Sequence, residues 1–319
     1  MTIRFILPYL AMLLAMISAG CQDSRLSPIS PTILDQPDSP AYNDLALNVR
    51  NNWSPYMNVH ATGEAFDVYK DVLLQMAQKG VLRGIRTGTI PNESFNNYVV
   101  DMMRSIPGID ILFIIDNHYL FDANIEQVID DAFRKYPEIR YFQIGNETTT
   151  ILPKSGPTMT IEQYMAVLRR IYNHVQKNYP GRAILVSQST LGSGTYGAKE
   201  LERMVELGLT NISPDQLIIG INCYSPTAAS QYPGIINGPL RQYRIWVTEA
   251  GIADYNLHAS YISSEYQKLR DYLRPERIYW YVLWGSDHNP NAGFSLIRNP
   301  QNYPNYWKSE LLKMLLEKQ

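Results

Sequence analysis

Tyr141-Phe142-Gln143-Ile144-Gly145-Asn146-Glu147 is an apolar run that stops at an Asn-Glu pair, and Ile245-Trp246-Val247-Thr248-Glu249 is a second that stops at a lone glutamate. Runs of this length, bounded by Gly and polar residues, read as strands. Outward from them, eight such segments appear: Leu45–Val49, Gly84–Thr89, Ile109–Ile115, Ile139–Ile144, Ala183–Ser187, Gln216–Ile221, Arg244–Thr248 and Ile278–Trp284. Helical patterns separate them. Ile125, Val128, Ile129, Ala132 and Phe133 share one helix face, as do Tyr164, Leu168, Ile171, Tyr172 and Val175, and Ile262, Tyr266, Leu269 and Leu273. Thr160 and Gln163 have the spacing of a capping box that starts the second of these helices. Strand ends fall near Arg50, Arg86, Asn117, Glu147, Gln188, Tyr224, Glu249 and Trp284. A strand-helix-strand unit takes about 30 residues or more, and this spacing fits it. Eight units in succession favour an α/β fold of one kind, a single (β/α)8 TIM barrel, over a doubly wound open sheet.

Bulk properties agree with one large core. The chain has 319 residues, 45% of them hydrophobic, and a formal net charge of -2 from 28 Lys+Arg and 30 Asp+Glu. That balance argues against nucleic acid as a partner. Residues 1–20 read as a lipoprotein signal peptide: Arg4 is basic, Phe5 to Ile17 is apolar, and Ser18-Ala19-Gly20 leads into Cys21. This run resembles a bacterial lipobox, which would make Cys21 the lipidated N-terminus of an exported protein. Residues 21–40, rich in Pro and Ser, read as an extended tether, leaving 41–319 for the barrel. Gln22 after the Cys points to the outer membrane or cell surface rather than the inner membrane. Cys223 is the second of 2 cysteines and sits in an apolar strand pattern, so a buried small hydrophobe is its expected role.

In a barrel of this kind the active site lies at the C-terminal ends of the strands. Glu147 and Glu249 are 102 residues apart (249 minus 147), three units of the repeat, so both should face the same mouth from the fourth and seventh strands. A pair of carboxylates so placed can cleave a glycosidic bond, one protonating the leaving oxygen and the other attacking the sugar.

The Asn146-Glu147 pair at the fourth strand and the lone Glu249 at the seventh resemble clan A of the retaining glycoside hydrolases, over about residues 41 to 319. The resemblance implies Glu147 as acid/base and Glu249 as nucleophile, with their carboxyl groups about 5–5.5 Å apart. It further implies Arg86 near the nucleophile, Tyr224 hydrogen-bonded to it, and Asn146 on the sugar 2-hydroxyl. Asn117 and His118 are alternative substrate contacts after the third strand. Trp284 would lie beneath the sugar, with a non-proline cis peptide at Trp284–Gly285. A retaining hydrolase acting on a β-linked poly- or oligosaccharide follows, expected as a monomer without a cofactor. A non-catalytic glycan-binding barrel and a transglycosidase are the alternatives. Gly192-Ser193-Gly194-Thr195-Tyr196-Gly197 has the letters of a dinucleotide fingerprint, but the next strand ends in Asn222-Cys223-Tyr224 without the required acidic residue, so it reads as a loop over the mouth. The five histidines show no HxH or HExxH spacing, so no metal site is expected.

Overall fold

A computed structural model describes residues 39–60, 65–88, 97–149, 159–188, 195–285 and 290–317. The signal segment, Cys21 and nearly all of the tether lie outside the described residues, as does the first half of the Gly192–Gly197 motif. Eight parallel strands close into a barrel in simple sequential order: β1 Tyr56–Asn58, β2 Gly84–Gly88, β3 Asp110–Ile115, β4 Tyr141–Ile144, β5 Ile184–Val186, β6 Leu217–Asn222, β7 Arg244–Ala250 and β8 Arg277–Trp280. Closure is made by β1 pairing with β8, Tyr56 against Tyr279. The fold is a single (β/α)8 barrel.

Helices α1 Pro40–Asn52, α2 Phe66–Gln78, α3 Tyr98–Met103, α4 Ile125–Lys135, α5 Ile161–Asn178, α6 Thr195–Glu206, α7 Pro226–Ala229, α8 Pro233–Asn237, α9 His258–Leu273 and α10 Glu310–Leu316 accompany the strands. The expected faces are the buried ones: Ile125, Val128, Ile129, Ala132 and Phe133 on α4, and Ile262, Tyr266, Leu269 and Leu273 on α9. The capping box at Thr160 and Gln163 is formed in both directions.

The first strand departs from expectation. Leu45–Val49 lies inside α1, whose buried residues Tyr42, Ala46 and Val49 follow helical spacing, and whose start is capped by the Ser39 side chain with Pro40 in the first turn. The apolar letters of this stretch hid a helical period. The strand itself is three residues long and begins with a half-buried Tyr56, too short to show a period of its own. At the other end, β8 stops at Trp280 instead of continuing to Trp284.

The barrel interior is layered. Tyr56, Leu112, Tyr141, Ile184, Val186, Ile218, Trp246 and Tyr279 form an apolar cluster separate from the larger core between strands and helices. β2 contributes Gly84 to this layer, where an added Cβ would meet the Tyr56 ring at 2.7 Å. Beneath the cluster the Arg277 guanidinium stacks over the rings of Trp246, Tyr56 and Tyr141 at 4.2, 4.7 and 4.9 Å and pairs with Asp110 at 2.6 Å. Because side chains alternate across a strand, the next inward positions include Asn58, Arg86, Gln143 and Thr248, two residues beyond Tyr56, Gly84, Tyr141 and Trp246, and Asn222, two beyond Gly220. All five are polar and buried. The interior therefore changes from an apolar floor to a polar upper layer at the C-terminal ends of the strands.

Candidate active site

Glu249 reaches the mouth through a β-bulge. Val247 pairs with Ile221 but Glu249 with Asn222, so β7 holds one residue more than β6 over this step, and its ladder with β8 shifts over the same stretch. Strict alternation from the inward Trp246 would keep Thr248 inside and send Glu249 to the helix side. The extra residue breaks that parity, as bulges do, so both side chains serve the interior. Thr248 Oγ1 donates to Asn222 Oδ1 at 2.9 Å, while the Glu249 carboxylate joins Arg86.

Arg86 is the hub of the polar layer. Its Nη1 donates to Glu249 Oε1 at 2.8 Å and Asn58 Oδ1 at 2.5 Å, its Nε to Gln143 Oε1 at 2.7 Å, and its Nη2 to Asn146 Oδ1 at 2.8 Å. The Arg86 and Glu249 side chains are 3% and 9% exposed, so the pair is shielded from the solvent screening that weakens surface pairs. The second oxygen of Glu249 accepts a short hydrogen bond from the Tyr224 hydroxyl. Burial and the Glu249 charge beside it push the Tyr224 hydroxyl well above its ordinary range, so it keeps its proton and remains a donor. Asn146 Nδ2 completes the set at 3.4 Å from Glu249 Oε1. A guanidinium, a phenol and an amide thus converge on one carboxylate.

Glu147 is placed by a turn. Gly145 has φ 74° and Glu147 φ 48°, both left-handed. An added Cβ at Gly145 would meet Thr148 Oγ1 at 2.3 Å and Leu120 Cδ1 at 2.8 Å, so only glycine fits there. Glu147 is 6% exposed, and its Oε1 accepts from Asn222 Nδ2 at 2.9 Å. Asn146 Oδ1, which accepts from Arg86, and Glu147 Oε1 fix the end of the Asn222 amide that carries the NH2, leaving its Oδ1 to accept from the Thr248 hydroxyl. The two glutamates are linked through the Asn146 and Asn222 amides.

Arg86, Asn146, Tyr224, Glu147 and Glu249 are brought together. Asn117 joins them indirectly: its Nδ2 donates to the Asn146 carbonyl at 2.8 Å, and its Oδ1 accepts from Asn146 N at 2.7 Å and Thr148 Oγ1 at 2.8 Å. His118 does not join. It is exposed and stacks on Tyr119, with centroids 4.2 Å apart. Trp284 is corrected too. It is 4% exposed and packs in the main hydrophobic core, and the non-proline cis peptide is Tyr281–Val282, not Trp284–Gly285. Tyr281, first residue after β8, stands at the site instead. Its ring meets Tyr224, Phe294 and His60 edge-on at 6.1, 5.6 and 5.7 Å. Sequence reasoning also missed Asn58, Gln143 and Asn222. Their spacing of two from Tyr56, Tyr141 and the inward Gly220 was the available signal. Among the described residues, no cluster of three or more His, Cys, Asp or Glu is arranged to hold a metal ion.

No protein-family model matches the chain, and no curated protein matches it in sequence. Solved structures do. An endo-β-1,6-glucanase aligns with a TM-score of 0.56 at 8% identity, covering 82% of this chain and 75% of that one. The catalytic domain of a family 30 xylanase from Talaromyces cellulolyticus aligns at 0.52 and 12% identity, covering 82% and 74%. A psychrophilic family 10 endo-β-1,4-xylanase aligns at 0.52 and 12% identity, covering 86% and 100%. The barrel is shared with them. At such identities the likeness carries the fold and nothing finer.

Proposed function

We propose that this chain is a retaining glycoside hydrolase acting on a β-linked poly- or oligosaccharide, with Glu249 as nucleophile and Glu147 as acid/base. The observation that carries the reading is the buried Arg86–Glu249 ion pair, with the Tyr224 hydroxyl on the other carboxylate oxygen. Those partners hold both oxygens of the carboxylate in a fixed orientation, as an attacking group requires. Glu249 attacks the anomeric carbon as Glu147 gives its proton to the departing glycosidic oxygen, leaving a sugar ester on Glu249. Glu147 then takes a proton from water, the water oxygen bonds to the anomeric carbon, and the Glu249 ester bond breaks. Asn146, already aimed at Glu249, binds the sugar 2-hydroxyl. Tyr281 supplies the aromatic surface beside the nucleophile that the sequence reading gave to Trp284. The solved neighbours named as an endo-β-1,4-xylanase and an endo-β-1,6-glucanase act on β-linked glycans and support this substrate class.

The test is a screen of the purified protein against β-glucans, xylans, mannans and galactans, with product configuration read by proton NMR at early times. Retention of configuration and loss of turnover in Glu249→Ala, partly restored by azide with an inverted glycosyl azide as product, are expected. Inverted product from the unaltered protein, or full activity of Glu249→Ala on the same glycan, would overturn the assignment. Lipidation at Cys21 and outer-membrane placement form part of the proposal. Cys21→Ala should leave the membrane fraction or fail to mature, and unchanged membrane association refutes it.

A further inference from the structure

We infer that Gln188 is a positioning residue for Glu147, holding its carboxyl group on target through the backbone of Thr148; the inference rests on the catalytic role proposed above for Glu147. A glutamate in the left-handed region is uncommon and persists only where its surroundings over-determine it. On the upstream side, Asn117 holds both polar groups of the Asn146 backbone. On the downstream side, Thr148 N donates to Gln188 Oε1 at 2.8 Å, and Gln188 Nε2 donates to Thr149 Oγ1 at 2.7 Å and to Glu200 Oε1 at 3.4 Å. The amide can sit only one way round. Flipped, its NH2 would face the Thr148 N–H, and its oxygen would face the Glu200 carboxylate.

Gln188 is itself held. Its backbone N–H donates to the Tyr164 hydroxyl at 2.6 Å, which donates to the Ile144 carbonyl at 3.0 Å. Ile144, Tyr164, Gln188 and Thr148 are all fully buried, so water does not compete for these bonds. The ends of β4 and β5 and the first turn of α5 therefore form a closed frame, with Glu147 on the segment that the Gln188 amide ties down. Gln188 makes no described contact with the Glu147 carboxyl group, whose amide partner Asn222 comes from β6. Losing the Gln188 amide should disturb the aim of the carboxyl group while leaving its chemistry intact. The damage then falls on the step that needs its proton.

The experiment compares the unaltered protein with Gln188→Ala, Gln188→Glu/Glu200→Gln and Glu147→Ala on phenyl and 2,4-dinitrophenyl β-glycosides of the oligosaccharide released in the screen above, alongside amide hydrogen exchange over residues 145–149. Gln188→Ala should lower kcat/KM about a hundredfold for the phenyl glycosides, the scale on which misplacement of about 1 Å acts. The loss should be severalfold for the dinitrophenyl glycosides, whose leaving group needs little protonation. Combined with Glu200→Gln, so that two carboxylates do not face each other, Gln188→Glu keeps an acceptor for Thr148 N and should recover much of it. Exchange at Thr148 should speed up in Gln188→Ala while distant helices stay unchanged. Equal losses on both leaving groups, or an unaffected phenyl glycoside where Glu147→Ala is impaired, would overturn the inference. If Glu147→Ala shows no dependence on leaving group, or the unaltered protein cleaves neither probe, the catalytic reading of Glu147 is what fails. In that case unchanged exchange at Thr148 also refutes the tie, and accelerated exchange upholds it.

Discussion

Arg86→Met removes the guanidinium at the centre of the site and leaves a side chain of comparable reach. Glu249 Oε1 then loses its partner at 2.8 Å, in surroundings where the two side chains are 3% and 9% exposed. Breaking a buried pair from one side costs about 3–5 kcal/mol, because the remaining charge keeps its desolvation penalty without its compensation. Gln143, Asn58 and Asn146 also lose a donor, which pushes the cost toward the upper end of that range. At roughly 2–4 °C per kcal/mol for a domain of this size, Tm should fall by roughly 6–20 °C. Arg86→Met/Glu249→Leu removes both charges, and should be more stable than Arg86→Met alone, since an apolar pair of similar volume often matches a buried ion pair. Urea unfolding followed by tryptophan fluorescence at pH 7, with thermal melts beside it, measures both. A single-variant loss under about 1 kcal/mol, the range of solvent-exposed pairs, would refute the reasoning. So would a double variant no more stable than the single one.

Further outcomes follow from particular residues. Gly145→Ala forces a Cβ to within 2.3 Å of Thr148 Oγ1 at φ 74°, so it should destabilise the fold by more than about 1 kcal/mol and impair Glu147-dependent turnover; an active variant of unchanged Tm contradicts this. Cys223 is buried and its thiol is pushed up to about 12 by burial, so a thiol reagent at pH 8 should react in denaturant and not with the folded protein. Burial pushes His258 down to about 4, so the folded state keeps it neutral, whereas the unfolded chain binds a proton below about 6.5. Stability from this group is therefore intact above pH 6.5 and falls by up to about 3 kcal/mol as pH drops toward 4. Denaturation midpoints at pH 7 and pH 5 should show the decline, and His258→Gln should flatten it; an equal slope in both proteins refutes the assignment.

The helix faces and seven of the strands could be read from the sequence because period and length coincide there. Leu45–Val49 misled because five apolar-rich residues cannot distinguish a strand from one turn and a half of helix. Glu147 and Glu249 were legible as charges ending apolar runs. Asn58, Gln143, Asn222 and Gln188 were not, because an amide in a strand or just past its end looks like an interruption until closure of the barrel sets it beside Arg86, Asn146 or Thr148. Trp284 was chosen by carrying the eighth strand too far. The chain leaves the ladder at Tyr281, whose N–H still bonds to the Ala250 carbonyl at 2.8 Å, and Trp284 turns into the core.

The added residue in β7 works as a phase change along one strand. Below it, Trp246 is bound to the apolar floor, and its indole N–H reaches Glu276 at 2.9 Å. Above it, Thr248 and Glu249 belong to the polar network. The two halves of the strand thus answer to different neighbours, and substitutions in one need not be matched in the other. A single-residue deletion between them is another matter. Loss of Val247 would leave the lower half seated and restore plain alternation above, keeping Glu249 inward two positions after Trp246 and turning Thr248 to the helix side, away from Asn222.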